Sequence, residues 1–278
     1  MDNQTNIFLT SNDQVPEFVS SCKHGAQVAM LKENETDLPI YFRLHKKEDS
    51  EKLVILFNGA VDREKTGIMT FQRWSWADDF DVNVLNIADG TLDTGEIQIG
   101  WGVGNEDFWF IDEIDSLIRI IMKELGVTEN NLTLYGSSSG GFQAITCGLK
   151  FPKCNVVMEN AQTDVRKYYP SAVEKLAGAA FKSITFEEFS SNYENRLSLS
   201  TIIDNHNKAP NTLIIQNIND KFHMKNHTLP LMNHLRASDI EDNLFEFYFY
   251  FGQSSHSPMN KDKLLLLIEM FTEKKDLQ

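Results

Sequence analysis

A run of small residues between two apolar segments constrains this chain more than any other feature. Residues 132–135 (Leu-Thr-Leu-Tyr) are β-prone, residues 136–140 (Gly-Ser-Ser-Ser-Gly) follow, and the next segment has helical character. Gly136, Ser138 and Gly140 match the G-x-S-x-G pattern of a nucleophile elbow, a sharp turn from strand to helix with a serine at its apex. A Cβ atom two residues before or after the apex would collide across this turn. Only Ser138 has glycine at both places, so we predict Ser138 as a nucleophile.

The alternative interpretation of this run is a flexible linker, because Gly and Ser are typical linker residues. Linkers lie in polar, low-complexity sequence, whereas this run is bounded by Leu-Thr-Leu-Tyr and by a periodic apolar segment. The context therefore favours the elbow. The N–H groups at the start of the following helix carry partial positive charge, which suits an anion formed beside them.

The composition predicts one large domain and argues against two classes of partner. The chain has 278 residues, of which 41% are hydrophobic, and this is enough for one core over residues 1–278. A formal net charge of −14 argues against binding to nucleic acid or to anionic lipid, since both require clustered Lys and Arg. No apolar run approaches the roughly 18 residues that span a bilayer, so we expect no membrane insertion.

The N-terminus and the cysteines indicate a cytoplasmic location. The first six residues lack the basic-then-apolar order of a signal peptide. Cys22, Cys147 and Cys154 are odd in number and lack metal-ligand spacing, so we interpret them as buried thiols in a reducing compartment. We expect no metal. Nothing in the sequence predicts the oligomeric state.

Apolar runs that alternate with helical patterns predict an α/β fold with a mostly parallel central sheet flanked by helices. The predicted strands span residues 27–31, 40–44, 52–57, 81–87, 132–135, 155–160, 211–217 and 244–251. The predicted helices span residues 108–125, the segment after the elbow, and 261–274. Residues 163–209 lack clear strands and are too long for an ordinary connection, so we interpret them as a helical cap over the site.

Polar residues at the ends of three predicted strands supply a catalytic triad. Ser138, Asp220 and His256 occur in the order nucleophile, acid, histidine, at the edge where open α/β sheets place ligands. A serine hydroxyl needs a base for its proton, and the base needs a partner that fixes its tautomer. We predict His256 as the base and Asp220 as the acid. His223 is the alternative base, and Asp164 is the alternative acid.

The loop after the strand at 52–57 is a candidate oxyanion hole. There, backbone N–H groups near Gly59 and Ala60 would meet the N–H group of Ser139. The alternative is an Asn-Gly turn without a catalytic role.

Three further residues are candidates for substrate binding. Trp101 lies in the glycine-rich segment 100–104, which fails the phosphate-loop patterns. Tyr168 lies in the predicted cap, and His223 follows the acid closely. The other histidines after the elbow, which are His206, His227 and His234, are interpreted as loop or helix-surface residues.

These segments together resemble the α/β-hydrolase superfamily over residues 25–275. The resemblance is carried by the elbow, by Phe-Asn-Gly-Ala at 57–60, by Asn-Ile-Asn-Asp at 217–220 and by Ser-Ser-His-Ser at 254–257. The loop at 57–60 departs from the His-Gly-Gly-Gly pattern of lipases and esterases, which argues against small lipophilic esters. In size and motif layout the chain is also similar to bacterial enzymes of capsule and surface-glycan biosynthesis, some of which transfer acetyl groups from acetyl-CoA to sugar hydroxyls.

The resemblance implies a serine esterase or an O-acetyltransferase that acts on a carbohydrate or polysaccharide. It implies no required cofactor, with acetyl-CoA as a candidate acyl donor. Two other functions use the same fold: a non-catalytic binding or scaffolding protein, and a peptidase-type hydrolase. A complete triad argues against the first, and nothing in the sequence selects the second.

Overall fold

The central sheet contains every strand that the sequence predicts. The computed structural model describes residues 7–22, 25–35, 37–182, 184–206, 208–238, 244–253 and 255–273. Within these residues, nine strands form one sheet in the order β1-β2-β3-β5-β4-β6-β7-β8-β9. They are β1 Ile7–Leu9, β2 Gly25–Leu31, β3 Ile40–Lys46, β4 Leu53–Phe57, β5 Asn83–Ile87, β6 Leu132–Ser137, β7 Asn155–Glu159, β8 Asn211–Asn217 and β9 Phe245–Tyr250. The short strand β1 was not predicted.

Strands β4 to β9 pair in parallel, and β3 is antiparallel to both of its neighbours. The strand order reverses at β4, which lies between β5 and β6. The carboxyl ends of β4 and β6 are in register, with Phe57 opposite Gly136. The loop after β4 therefore lies beside the elbow, at the switch point where open α/β sheets bind ligands.

Helices cover both faces of the sheet. They are α1 Val15–Ser21, α2 Phe110–Glu124, α3 Ser139–Gly148, α4 Pro170–Ala180, α5 Phe186–Asn192, α6 Glu194–Leu197, α7 Leu199–Asp204, α8 Lys221–His223, α9 Leu229–Ala237 and α10 Lys261–Glu273. A π-helical segment, Met224–Thr228, joins α8 to α9. Helices α1, α8 and α9 were not predicted, and the closing helix is described as far as Glu273.

All five residues of β4 are buried because each face of the strand meets a core. Ile55 and Phe57 belong to the larger core, which includes the buried side of α2. Val54 and Leu56 belong to the smaller core, which includes the inner side of α10. The alternation of side chains along a strand thus joins two helical layers to one sheet.

Helices α4 to α7 occupy most of the predicted cap between β7 and β8. The division of the chain into a main domain and a cap stays an interpretation. The three cysteines are free and buried, as expected. No helix in the described part of the chain has the length and apolar character needed to cross a membrane.

Candidate active site

Ser138 stands at the apex of a strained turn between β6 and α3. Its backbone angles are φ 57° and ψ −126°, a region that residues other than glycine rarely adopt. The turn is tight enough that a Cβ on Gly136 would lie 2.1 Å from the carbonyl carbon of Gly140. A Cβ on Gly140 would lie 2.7 Å from the carbonyl oxygen of Phe57. The predicted collision across the turn is confirmed for Gly136, whereas a Cβ on Gly140 would collide with the end of β4 rather than across the turn.

Backbone contacts with β7 and its following loop hold the elbow. The N–H group of Ser138 donates to the carbonyl oxygen of Glu159 over 2.9 Å. A Cβ on Gly141 would lie 2.6 Å from the Cβ of Ala161, so α3 packs closely on the chain after β7. The segment 160–163 therefore reaches the nucleophile directly.

Asp220 lies just after β8 and engages both candidate bases. Its Oδ1 accepts from the backbone N–H of His223 over 3.1 Å. Its Oδ2 lies 2.6 Å from Nδ1 of His256 and 2.8 Å from Nδ1 of His223. Burial by itself raises the pKa of this carboxyl, but hydrogen bonds from the two histidines outweigh burial and hold the pKa well below its usual range. Asp220 is therefore ionised at neutral pH.

The two histidines differ in alignment and in exposure. Their rings are stacked, with centroids 4.1 Å apart and planes inclined by 15°. His256 makes an aligned hydrogen bond to Asp220, whereas the short contact of His223 Nδ1 lacks hydrogen-bond alignment. The side chain of His256 is 41% exposed and that of His223 is 3% exposed. Burial lowers the pKa of His223 and keeps it neutral.

Side chains at the ends of β8 and β9 anchor the loop that carries His256. Oδ1 of Asn217 accepts from the N–H of Gly252 over 2.9 Å, and its Nδ2 donates to the carbonyl oxygen of Ser255 over 3.1 Å. The hydroxyl of Tyr250 donates to the carbonyl oxygen of Ser257 over 2.9 Å. These bonds hold the loop on both sides of the histidine.

A buried carboxylate supports the same loop from below. Glu159 accepts from the hydroxyl of Tyr135 over 2.7 Å, and its Oε1 lies 3.3 Å from the hydroxyl oxygen of Tyr250. It also accepts from the backbone N–H of Met259. Asn160, the next residue, has φ 45° and donates to the Tyr250 hydroxyl over 2.8 Å. The loop of His256 is thus anchored to the strand that also holds the elbow.

Gln162 lies between the nucleophile and the second histidine. Its Nε2 is 3.0 Å from Oγ of Ser138 and 2.7 Å from Nε2 of His223. Its Oε1 accepts from Nε1–H of Trp101 over 3.1 Å. Among the described residues, neither His223 nor His256 hydrogen-bonds Ser138 directly. Sequence reasoning missed Gln162, because a single glutamine after a strand carries no motif.

The predicted oxyanion hole is partly engaged in this structure. Gly59 borders the nucleophile, since a Cβ on it would lie 3.6 Å from the Cβ of Ser138. However, its N–H donates to Oε1 of Gln72 over 2.9 Å, and Nε2 of Gln72 donates to the carbonyl oxygen of Ala60. Ser139 begins α3 and is buried. The roles of Gly59, Ala60 and Ser139 stay predictions, and Gln72 must release Gly59 before that group can bind an oxyanion.

Trp101 reaches the site through a buried loop. It is fully buried with φ 53°. Asp89 holds this loop, because its Oδ2 accepts from the N–H of Gly102 over 3.1 Å. Burial raises the pKa of Asp89. In this structure Trp101 orients Gln162 and lies out of contact with solvent, and its role in substrate binding stays a prediction.

Tyr168 lines an open cavity that includes Ala60 of the predicted oxyanion hole. Its ring centroid is 5.4 Å from that of Trp101 and 6.2 Å from that of His223. Next to it, the half-exposed Tyr169 stacks on Phe222. The cavity has a volume of about 340 Å³ and is lined by Ala60, Glu96, Ile97, Gln98, Ile99, Tyr168, Tyr169, Ser171, Ala172 and Lys175. It offers aromatic faces and polar groups next to the predicted oxyanion hole.

A larger cavity of about 620 Å³ lies elsewhere, among Cys22, the loop 46–51 and the end of α2. The loop precedes β4, so this cavity is at the opposite edge of the sheet from the elbow. The smaller cavity is the one that lies next to the predicted oxyanion hole, because Ala60 is among its lining residues.

The rival residues have other partners. Asp164 pairs with Arg166 over 2.9 Å and accepts from its backbone N–H over 3.0 Å, whereas Asp220 contacts both candidate bases. His234 pairs with Asp204 over 2.8 Å. The interpretation of His227 as a surface residue is wrong: its side chain is buried, and Nδ1 accepts from the N–H of Thr163 over 3.2 Å. The π-helical segment turns this residue inward.

The donor atoms of Asp220, His223 and His256 lie within 4.8 Å of one another, which raises the question of a metal ion. The two rings are almost parallel, so their nitrogen lone pairs do not converge on one point. Both Nδ1 atoms also lie within 2.8 Å of the same carboxylate oxygen. This geometry fits a shared acid better than a metal centre.

No family model and no curated protein matches this chain. Several solved structures do match it. The capsule O-acetyltransferase of Neisseria meningitidis serogroup A is 17% identical with a TM-score of 0.63, over 86% of this chain and 96% of that one. A histidine-to-alanine variant of that enzyme was solved in complex with CoA, and it is also 17% identical, with a TM-score of 0.60 over 86% of this chain and 94% of that one.

An acetyl xylan esterase from Paenibacillus sp. R4 is 11% identical with a TM-score of 0.57, over 95% of this chain and 92% of that one. Dipeptidyl peptidase 4 of Porphyromonas gingivalis is 13% identical with a TM-score of 0.61, over 94% of this chain and 37% of that one. Identities this low establish the fold alone. The chain has the α/β-hydrolase fold, and the predicted resemblance to capsule O-acetyltransferases is confirmed at the level of that fold.

Proposed function

We propose that this chain is a serine-dependent acyl-transfer enzyme that acts on a carbohydrate acyl ester or acceptor. One observation carries the proposal: the strained apex that presents Ser138 and the aligned pair of Asp220 and His256 lie at the same edge of the sheet. A serine at such an apex needs a base and a partner for that base, and all three groups are present.

In the first half-reaction, Oγ of Ser138 bonds to the acyl carbon and gives its proton to Nε2 of His256. The bond from the acyl carbon to the leaving group then breaks, and the leaving group takes the proton. Asp220 keeps the His256 proton on Nδ1 and stabilises the imidazolium while it exists. N–H groups near Ala60 and Ser139 hold the oxyanion, which is commonly the largest electrostatic contribution.

In the second half-reaction, an O–H group gives its proton to His256, its oxygen bonds to the acyl carbon, and Ser138 leaves with the proton. Water gives hydrolysis, and a sugar hydroxyl gives transfer. The fold neighbours named for capsule O-acetylation and for acetyl xylan support a carbohydrate acetyl group. The complex with CoA supports acetyl-CoA as the acyl donor. The cavity beside Tyr168 and Tyr169 offers aromatic faces that suit a sugar ring.

Labelling with a fluorophosphonate probe tests the nucleophile. Ser138→Ala is expected to abolish labelling while the circular dichroism spectrum stays that of the wild type. Ser137→Ala is the matched control, because Ser137 accepts from Arg73 and takes no part in the reaction proposed here. Persistent labelling of Ser138→Ala refutes the proposal. Release of CoA from acetyl-CoA that depends on an added polysaccharide indicates transfer, whereas acceptor-independent hydrolysis of p-nitrophenyl acetate indicates an esterase.

A further inference from the structure

Two imidazoles contact one carboxylate oxygen, yet only one of them contacts Gln162. The Nδ1 atoms of His223 and His256 both lie within 2.8 Å of Oδ2 of Asp220. The contact with Asp220 therefore does not by itself select which ring serves as the base. Gln162 breaks this symmetry, because its Nε2 lies 2.7 Å from Nε2 of His223.

Trp101 determines the orientation of the Gln162 amide. The indole N–H of Trp101 is only a donor, so the group that faces it over 3.1 Å must be the amide oxygen. The amide NH₂ group then faces Ser138 and His223. It has two hydrogens, and each has one acceptor: Oγ of Ser138 and Nε2 of His223. It follows that Nε2 of His223 is unprotonated and that the ring proton is on Nδ1, facing Asp220.

The backbone next to Gln162 is clamped by a second buried histidine. The N–H of Thr163 donates to Nδ1 of His227 over 3.2 Å, and the Thr163 hydroxyl donates to the carbonyl oxygen of His227 over 3.0 Å. Gln162 itself is fully buried. The amide is therefore held from two sides, by Trp101 and by the clamp at Thr163.

A histidine whose Nε2 lone pair already accepts an amide hydrogen has no place for a serine proton. An amide nitrogen does not relay that proton either, because it is a donor to both neighbours. We infer that Gln162 is a positioning residue that closes His223 to proton transfer and thereby leaves the base role to His256. This inference rests on the proposed function, since it concerns which imidazole takes the proton of Ser138.

The inference predicts a specific rescue. In His256→Ala the serine has lost its base, so fluorophosphonate labelling should slow by about 100-fold or more. Adding Gln162→Met removes the amide and frees Nε2 of His223. This nitrogen then accepts the proton from Oγ of Ser138 as that oxygen bonds to phosphorus, the P–F bond breaks and fluoride leaves. Labelling of the double variant should be at least about 10-fold faster than that of His256→Ala. The labelling rate should also show a new pH dependence, because an imidazole now acts as the base.

Two controls separate this rescue from a structural effect. Adding His223→Ala to the double variant should remove the gain. Gln216→Met in the His256→Ala background deletes another buried glutamine, one that bonds Thr228 and the Asn217 carbonyl, and should give no gain. A folded double variant that labels no faster than His256→Ala overturns the inference. So does a His256→Ala enzyme that keeps the wild-type rate while His223→Ala loses it.

A measurement on the wild-type protein covers the case in which the double variant does not fold. Nitrogen-15 chemical shifts of the imidazoles should show His223 as the Nδ1–H tautomer with Nε2 accepting a hydrogen bond. The Nε2–H tautomer overturns the inference. Wild-type protein that shows no Ser138-dependent labelling refutes the proposed function. The tautomer of His223 separately tests whether Gln162 donates a hydrogen bond to its Nε2.

Discussion

The rings of His223 and His256 lie face to face, with centroids 4.1 Å apart, over the single carboxylate of Asp220. A positive charge on one ring makes it harder to protonate the other ring to imidazolium, because two like charges would then be stacked at this distance. Burial already keeps His223 neutral. The positive charge that arises during acyl transfer is therefore expected on His256, where solvent and Asp220 both stabilise it.

Asp220→Asn should reduce the labelling rate and the esterase turnover by about 10²- to 10⁴-fold, because the amide lacks the charge that stabilises imidazolium. Steady-state rates and probe labelling measure this effect. Asp164→Asn is the matched control and should keep wild-type turnover, since Asp164 pairs with Arg166. A large loss in Asp164→Asn with little change in Asp220→Asn would reverse the assignment of the acid.

Gly140→Ala should destabilise the fold by about 3 kcal/mol or more, because its Cβ would lie 2.7 Å from the backbone oxygen of Phe57. Gly178→Ala makes the same chemical change in the exposed part of α4, where no atom lies within 4 Å of the new Cβ. It should be neutral or stabilise by up to about 1 kcal/mol. Urea unfolding of the two variants compares them, and similar stabilities would contradict the tight elbow.

His227 should make stability depend on pH. Burial, with the nearby His223 as the second cause, lowers the pKa of His227 to about 3. The unfolded chain binds a proton on this residue below about pH 6.5, whereas the folded chain does not, so stability is lost as the pH falls from about 6.5 towards 3. His227→Asn keeps an acceptor for Thr163 and removes the titration. Its free energy of unfolding should fall less steeply on acidification, by up to about 1.4 kcal/mol per pH unit, in urea titrations at pH 7, 6 and 5. An unchanged slope would show that His227 is protonated in the fold.

Tyr250→Phe should loosen the loop that carries His256. It removes the hydroxyl that bonds the Ser257 carbonyl, Asn160 and Glu159. We expect a loss of about 1–3 kcal/mol in stability and a fall in turnover, with KM nearly unchanged because the substrate cavity is elsewhere. Tyr248→Phe removes a hydroxyl from an exposed residue of the same strand and should change neither. Equal effects of the two changes would argue against this anchor.

The sequence predicted the parts of the molecule that carry strong local signals. Buried parallel strands are continuous apolar runs, so the sequence predicts β4 and β7. It also predicts the elbow, because steric crowding permits little besides glycine at positions 136 and 140. Asp220 and His256 were brought together correctly, since the ends of parallel strands meet at one edge. Strand β1 was missed because three residues are too few to show a period.

Other contacts depend on side chains that converge only after folding. Nothing near Gln162 in the sequence indicates Trp101, which approaches it through a loop held by Asp89. The sequence suggests a loop or helix-surface position for His227, but the residue lies in a π-helical segment and is buried. The bond from Gly59 to Gln72 joins two parts of an irregular loop that has no periodicity.

His256 follows β9, which in the described part of the chain pairs only with β8 at the margin of the sheet, whereas Ser138 follows β6 near its middle. An edge strand pairs with fewer strands than an interior one, so less free energy is needed to separate it from the sheet. Partial denaturation should thus detach the imidazole from the hydroxyl while most of the molecule is still folded. Loss of catalysis would then come before loss of structure as denaturant is added.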